Sequence, residues 1–448
     1  MNLEEIQNKV PQTILKYAIP SIIAMILTSL ITIIDGFFVG NHIGKEGLAA
    51  INLGLPIIYL FLAFGIMIGV GGSAIATRLL GSRNVPEGNA VFNQTLLTAL
   101  ISSVILSLGI FALFEPILGF IRATPAVLEY FRNYYLIMLV SYPIMILNIN
   151  FGMFIRGEGR PETFMMITII SVAANIILDY LFIVVFQAGI AGIAKASLIS
   201  VTISFVLMVL YFLFQSKVFK FKSFTFSQEV LRNTFFNGSS ELIGQLSMSV
   251  TMLLFNYVIL KEVGVSGIAA FTIVGYVSYL FSMVVIGFGQ GASPLISYSF
   301  GANRIELSRD IRRKTNLFVV VLGILTFLFL ILGANSYCHV FVKDKIVQDM
   351  VSSGSKIFSI AFLFMGFNII SSFYFTSIGL ARESAIISGS RGLVVLLICI
   401  LVLPALLGIR GVWLVAPVTE IITVFLTLYL LKSHDKRFRI PQMGNTPA

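Results

Sequence analysis

The chain has 448 residues, 57% hydrophobic and 11% charged, with a mean hydropathy of +0.97. A soluble domain carries about 25% charged residues to cover its surface, so the composition excludes an ordinary soluble enzyme, a disordered chain and a disulfide scaffold. It leaves a polytopic membrane protein, in which lipid-facing surface replaces a single enlarged core. The net charge of +10 sits in short basic clusters between apolar runs, which speaks for topology and against nucleic acid as a partner.

After the polar residues Met1 to Lys9, an apolar stretch from about Ile14 to Val39 is too long for a signal peptide and lacks a small-residue cleavage pattern. It reads as the first of twelve transmembrane helices, each a window of about 20 apolar residues. The expected spans are 14–38, 52–77, 92–114, 134–155, 163–186, 191–214, 236–260, 268–297, 315–335, 355–378, 386–407 and 411–431. With the N-terminus inside, 21 of the 30 basic residues fall on the inner side, among them Arg78, Arg156, Arg309, Arg312, Arg391 and Lys436. The positive-inside rule then places both termini in the cytoplasm of a multi-pass plasma (inner) membrane protein. The cysteines Cys338 and Cys399 and the histidines His42, His339 and His434 match no metal or redox spacing, so no cofactor is expected.

Residues 44–81 and 264–301 align without a gap and share twelve identities in 38 positions, from Gly44/Gly264 through Gly71/Gly291 to Gly81/Gly301. Chance in apolar sequence gives about three or four. A shift of 220 residues moves six spans, an even number, so the halves are parallel repeats, the arrangement of transporters that rock two bundles around a central cavity. The expected organisation is an all-α protein with an N-terminal lobe over 1–215, a cytoplasmic linker over 216–232, a C-terminal lobe over 233–432 and a tail over 433–448.

An ionisable side chain in mid-bilayer costs at least about 2.5 to 3.5 kcal/mol and by default marks function. Four acids lie inside spans: Asp35, Asp179, Glu241 and Glu420. Asn175 and Asp179, spaced i, i+4, stack on one helical face, and Asp35 lies at a similar depth on the first span. Shifted by 220, Asp35 falls on Phe255, Asn175 on Val395 and Asp179 on Cys399. The polar cluster is therefore expected in one lobe only, as a site for H+ or, with Asp35 and Asp179 as metal ligands, for Na+. Two carboxylates in a desolvated site do not both ionise cheaply. Glu241 lies near the inner end of its span, where it can snorkel. Glu420, in mid-span, is expected as a cavity charge that selects cationic substrate. Pro20 precedes Asp35 on one helix and offers a hinge. Among the 15 methionines, Met153 and Met252 are expected in a cavity for bulky apolar cations.

Three stretches carry a resemblance: Ile33-Ile34-Asp35-Gly36-Phe37-Phe38-Val39-Gly40, Arg156-Gly157-Glu158-Gly159-Arg160-Pro161 and Asn175-Ile176-Ile177-Leu178-Asp179. With the two six-helix repeats, the chain over about 10–435 resembles the MATE (multidrug and toxic compound extrusion) transporters, nearest the MepA-like branch. The resemblance implies antiport, with diverse, often cationic drugs exported against H+ or Na+ by alternating access, and hence a role in antibiotic resistance. It makes Asp35, Asn175 and Asp179 the N-lobe cation site, adds Ser197 and Thr202 on span six as hydroxyl contributors, and makes bending at Pro20 plausible. Some MATE branches use acids in spans seven and ten for sodium. Span ten here, Phe358 to Asn368, has none, which favours the N-lobe site. The expected partners are small-molecule drugs, organic cations and the lipid bilayer, with the protein a monomer. The competing reading is a lipid-linked precursor flippase of the same wider superfamily. An integral membrane enzyme is the weaker competitor, because no metal cluster, nucleophile motif or phosphate loop appears in the sequence.

Overall fold

The computed structural model describes residues 1, 3–121, 123–341 and 344–437, and their side chains except at 248, 249, 252, 265, 334–341 and 437. Twelve long helices carry the chain: α1 Val10–His42, α2 Leu55–Gly81, α3 Val85–Ala112, α4 Pro125–Glu158, α5 Pro161–Val185, α6 Gly189–Gln215, α7 Gln228–Glu262, α8 Val265–Gly301, α9 Ile305–Phe341, α10 Lys345–Ile378, α11 Ala381–Leu407 and α12 Ile409–Arg437. Short helices, Leu3–Asn8, Lys45–Leu53 and Phe114–Phe120, precede or join them, and the described residues contain no strand. Helix is the form that lets an unpaired segment satisfy its backbone inside lipid. Starts are set by Pro125 and Pro161 in the first turn and by side-chain caps, Ser227 on the Val230 N–H and Asp344 on the Ile346 N–H.

Eleven of the twelve are long and apolar enough to cross a membrane. The twelfth, α7, opens with Gln228, Glu229, Arg232, Asn233 and Asn237, and packs along α2 and α11. Its polar face is covered by protein: Asn237 Nδ2 donates to the Gly71 carbonyl at 3.5 Å, and Ser240 Oγ meets Thr376 Oγ1 at 3.2 Å. Protein cover is what permits such a sequence at membrane depth.

The duplication runs through the whole chain. Helix starts at Val85, Pro125, Pro161 and Gly189 recur 220 residues later at Ile305, Lys345, Ala381 and Ile409. The left-handed positions Gly44, Arg83 and Gly159 recur as Gly264, Asn303 and Gly379. Each half has its own core, the first around Phe92, Phe154 and Phe212, the second around Phe362, Tyr374 and Trp413. Helix α1 divides its allegiance: Val10, Ile14, Tyr17 and Ala18 belong to the second core, whereas its far half lies beside α5 and α6 of the first lobe.

Both chain ends lie on one side. Tyr298 Oη, at the end of α8, donates to the Met1 carbonyl at 3.2 Å, and Arg309, at the start of α9, pairs with Asp435 at 3.1 Å. On this terminus-bearing side the lobes are sealed. A Cβ on Gly71 would stand 2.0 Å from the Thr234 carbonyl oxygen, and one on its repeat mate Gly291 would stand 2.7 Å from that of Tyr17. Only glycine allows helix backbones that close. Arg78 Nη1 completes the seal by donating to Ser377 O at 2.9 Å, at the carbonyl end of α10.

The connection between lobes has no helix or strand over 216–227, and α7 begins inside the expected linker. It is bolted to the first lobe. Asn89 donates to Val218 O and accepts from the Lys220 N–H, Asn93 does the same with Lys220 O and Lys222 N–H, and Gln94 with both backbone groups of Ser227. Glu158 accepts from the Lys217 and Val218 N–H groups at 2.7 and 2.9 Å.

Candidate functional site

Asp35 stands on the far half of α1, Asn175 and Asp179 one turn apart on α5, and Ser197 on α6. The structure brings all four together: Asp35 lies against Asp179 and Asn175, and Ser197 Oγ donates to Asp35 Oδ2 at 3.4 Å. Asn175 and Asp179 are 0% exposed, and Asp35 is half-buried with Oδ1 shut off from solvent. Both Asp179 oxygens, Asp35 Oδ1 and both polar atoms of Asn175 lack a hydrogen-bond partner of good geometry. Buried polar groups are ordinarily paired, so five orphans in one place single this cluster out as the candidate site. Among the described residues, neither Asp35 nor Asp179 has a basic side chain within salt-bridge distance.

Two features of the site were not legible from spacing. Helix α5 leaves the α-register immediately after Asp179, running as a π-helix from Tyr180 to Val185, a distortion that concentrates at functional positions. Tyr134 of α4, 3% exposed, stands within electrostatic range of both carboxylates. A buried tyrosine on a helix opposite is visible in sequence only as another aromatic.

Thr202 is not brought to the carboxylates by a hydrogen bond; its hydroxyl donates to the Leu198 carbonyl of its own helix at 2.7 Å. Pro20 is buried within an uninterrupted α1. Met153 lines a small pocket between the lobes, and Met252 lies on α7 with its side chain outside the described residues.

Glu420 is not a free cavity charge. Its Oε1 accepts from Arg391 Nη2 at 2.7 Å and Nε at 3.1 Å, and its Oε2 from Asn368 Nδ2 at 2.7 Å; Thr427 holds Asn368 from behind at 2.9 Å. Arg391, expected as a topological anchor, sits inside α11 where the helix passes through a π-turn, Ser390–Val394. Glu241 lies within electrostatic range of the same Arg391. Glu420 and Arg391 therefore compensate one another inside the second lobe. Arg309 and Arg312 are likewise buried, Arg309 pairing with Glu306 and Asp435, and Arg312 lying over the Tyr374 ring at 5.0 Å.

The MatE family profile matches two stretches, residues 20–181 and 242–401, one in each half. The multidrug export protein MepA of Staphylococcus haemolyticus (strain JCSC1435) is 24% identical over 436 residues, 97% of this chain and 96% of that one. MepA of Staphylococcus aureus (strain MRSA252) is 24% identical over 426 residues, 94% of each chain. A solved structure described as the outward-facing conformation of a multidrug resistance MATE family transporter superposes with a TM-score of 0.89 at 22% identity, covering 95% of this chain and 97% of that one. A transporter from Pyrococcus furiosus Vc1, described as having a binding pocket of reverse polarity that suggests a different function, superposes with the same TM-score at 22% identity, covering 95% and 96%. Equal superposition on two transporters whose descriptions differ in function means that this fold does not by itself choose its cargo.

Proposed function

The chain belongs to the MatE family, and on that premise we propose that it is a secondary active multidrug exporter. It passes chemically diverse, often cationic amphipathic compounds outward in exchange for protons, by alternating access of the two lobes. The observation that carries the reading is the Asp35–Asp179 pair, with Asp179 buried and Asp35 half-buried, present in one lobe and, among the described residues, without a basic partner. Neighbouring carboxyls with no countercharge repel unless a small cation lies between them. A proton makes the smaller demand, needing one acceptor and no cage of ligands; sodium held by the carboxylates, Asn175 and Ser197 is the alternative. With both termini in the cytoplasm of the plasma membrane, the glycine-lined seal closes the cytoplasmic side and leaves the carboxylates in the half of the bundle nearer the outside. Binding of the ion there and release of drug are then alternatives, and bending of α1 near Pro20 connects the site to the seal.

The test is ethidium efflux from proteoliposomes, with pH and sodium gradients imposed separately, for the unaltered protein and Asp35→Asn. Export driven by the pH gradient and lost in the variant is expected. Export driven by sodium alone makes Asp35 and Asp179 metal ligands. Export under neither gradient overturns the reading in favour of a lipid-precursor flippase.

A further inference from the structure

Arg156 ends α4 at the lobe seam, where topology counting treats it as an anchor at the membrane surface. It is 3% exposed. Its guanidinium lies 4.4 Å over the Phe164 ring, and Nη2 approaches Met153 Sδ at 3.0 Å, while Nε and Nη1 have no hydrogen-bond partner. Among the described residues, no carboxylate reaches it. A desolvated guanidinium with two idle N–H groups is costly relative to one that is paired, so it calls for a partner that is present at another stage.

The space it faces is a pocket shared between the lobes. Ser73, Met153 and Arg156 line it from the first lobe, and Gln290, Ser293 and Phe373 from the second. Gln290 is 8% exposed, and its Oε1 also lacks a partner. Two idle N–H donors and one idle acceptor, with two hydroxyls beside them and an aromatic wall, form a polar pocket that is complete only when both lobes contribute. In the sealed state it has about 10 Å³ of room, enough for about one water. Because it straddles the seam, parting of the terminus-side halves opens it to that side.

We propose that Arg156 and Gln290 form a substrate subsite for a carboxylate, engaged when the seal is open, so that zwitterionic amphiphiles are taken as well as plain cations. The guanidinium supplies a positive charge and the idle Nε and Nη1 donors, each able to donate to a carboxylate oxygen, and the Gln290 amide oxygen accepts from a donor next to it. This rests on the export reading for its biological sense, but the binding itself does not.

The probes are rhodamine 110, which carries a free carboxylate, and rhodamine 123, its methyl ester. Binding to purified protein is read by fluorescence anisotropy for the unaltered chain, Arg156→Gln and Gln290→Ala. The expected result is at least about tenfold weaker binding of rhodamine 110 to Arg156→Gln, a smaller loss in the same direction for Gln290→Ala, and rhodamine 123 within about twofold throughout. Equal losses for both dyes, or no change in rhodamine 110 with either variant, overturns the subsite. The same dyes in the efflux assay separate the two readings: binding selectivity with no transport of either dye sinks export and keeps the subsite.

Discussion

The two lobes share a backbone and differ in what they do with charge. At the positions equivalent to Asp35 and Asp179, the second lobe has Phe255 and Cys399, each 5% exposed and packed in one apolar cluster with Ile259, Ile400, Val412 and Val415. Phe255 stacks on Phe271 with ring centroids 4.7 Å apart. The second lobe keeps its acids elsewhere and neutralises Glu420 with Arg391 and Asn368. One half thus holds uncompensated carboxyls and the other a plugged counterpart with a satisfied ion pair. Duplication preserved the helix frame to within a residue at four helix starts while the chemistry at equivalent points diverged completely, so frame and site are under separate constraints.

The comparison breaks most severely at Asp179. Asp179→Asn is expected to abolish gradient-driven drug efflux while the thermal unfolding midpoint holds or rises, since the carboxylate has no ion pair to lose; Cys399→Ser at the equivalent point is expected to leave efflux near normal. Normal efflux by Asp179→Asn would show that the lobes do not differ in the way described. Next in size is Arg391→Gln, which leaves Glu420 buried and unpaired and is expected to cost about 3 kcal/mol or more, read as a lower midpoint in detergent. The double change Arg391→Gln with Glu420→Gln is expected to recover most of that loss, and a double variant no more stable than the single one would mean the pair is not the source. The smallest effect is at Pro20. Pro20→Ala is expected to slow efflux several-fold with little change in equilibrium drug binding, because it restores a helix hydrogen bond that bending must break; unchanged rates would make the proline incidental to α1.

Much of the frame was legible because hydropathy and the 220-residue repeat report lipid-facing surface directly. The helices nonetheless exceed the expected spans, α9 starting at Ile305 and α10 at Lys345, because an apolar window sees the hydrocarbon-crossing part and not the polar turns beyond it. The convergence of Asp35, Asn175 and Asp179 followed from i, i+4 spacing and matched depth. The state of Glu420 did not, since its partner Arg391 lies 29 residues away on another helix. Counting basic residues as anchors hid both Arg391 and Arg156: a positive-inside count weighs charge by position along the chain and has no information about which cations are buried or what they face.

Helix α1 precedes the other eleven long helices in the chain, yet Val10, Ile14, Tyr17 and Ala18 pack in the core of the second lobe, with the Ala18 backbone against Gly291 of α8. The first lobe can assemble around Phe92 and Phe154 as soon as its six helices are made, and the docked linker can close over it. The terminus-side end of α1 touches the first lobe at Gly159, but its main apolar partner is absent until α8 is synthesised. Biogenesis therefore has a built-in waiting period, in which one end of α1 is sheltered by lipid or by insertion machinery. Completion of the seal between the lobes and completion of folding are, for this chain, the same event.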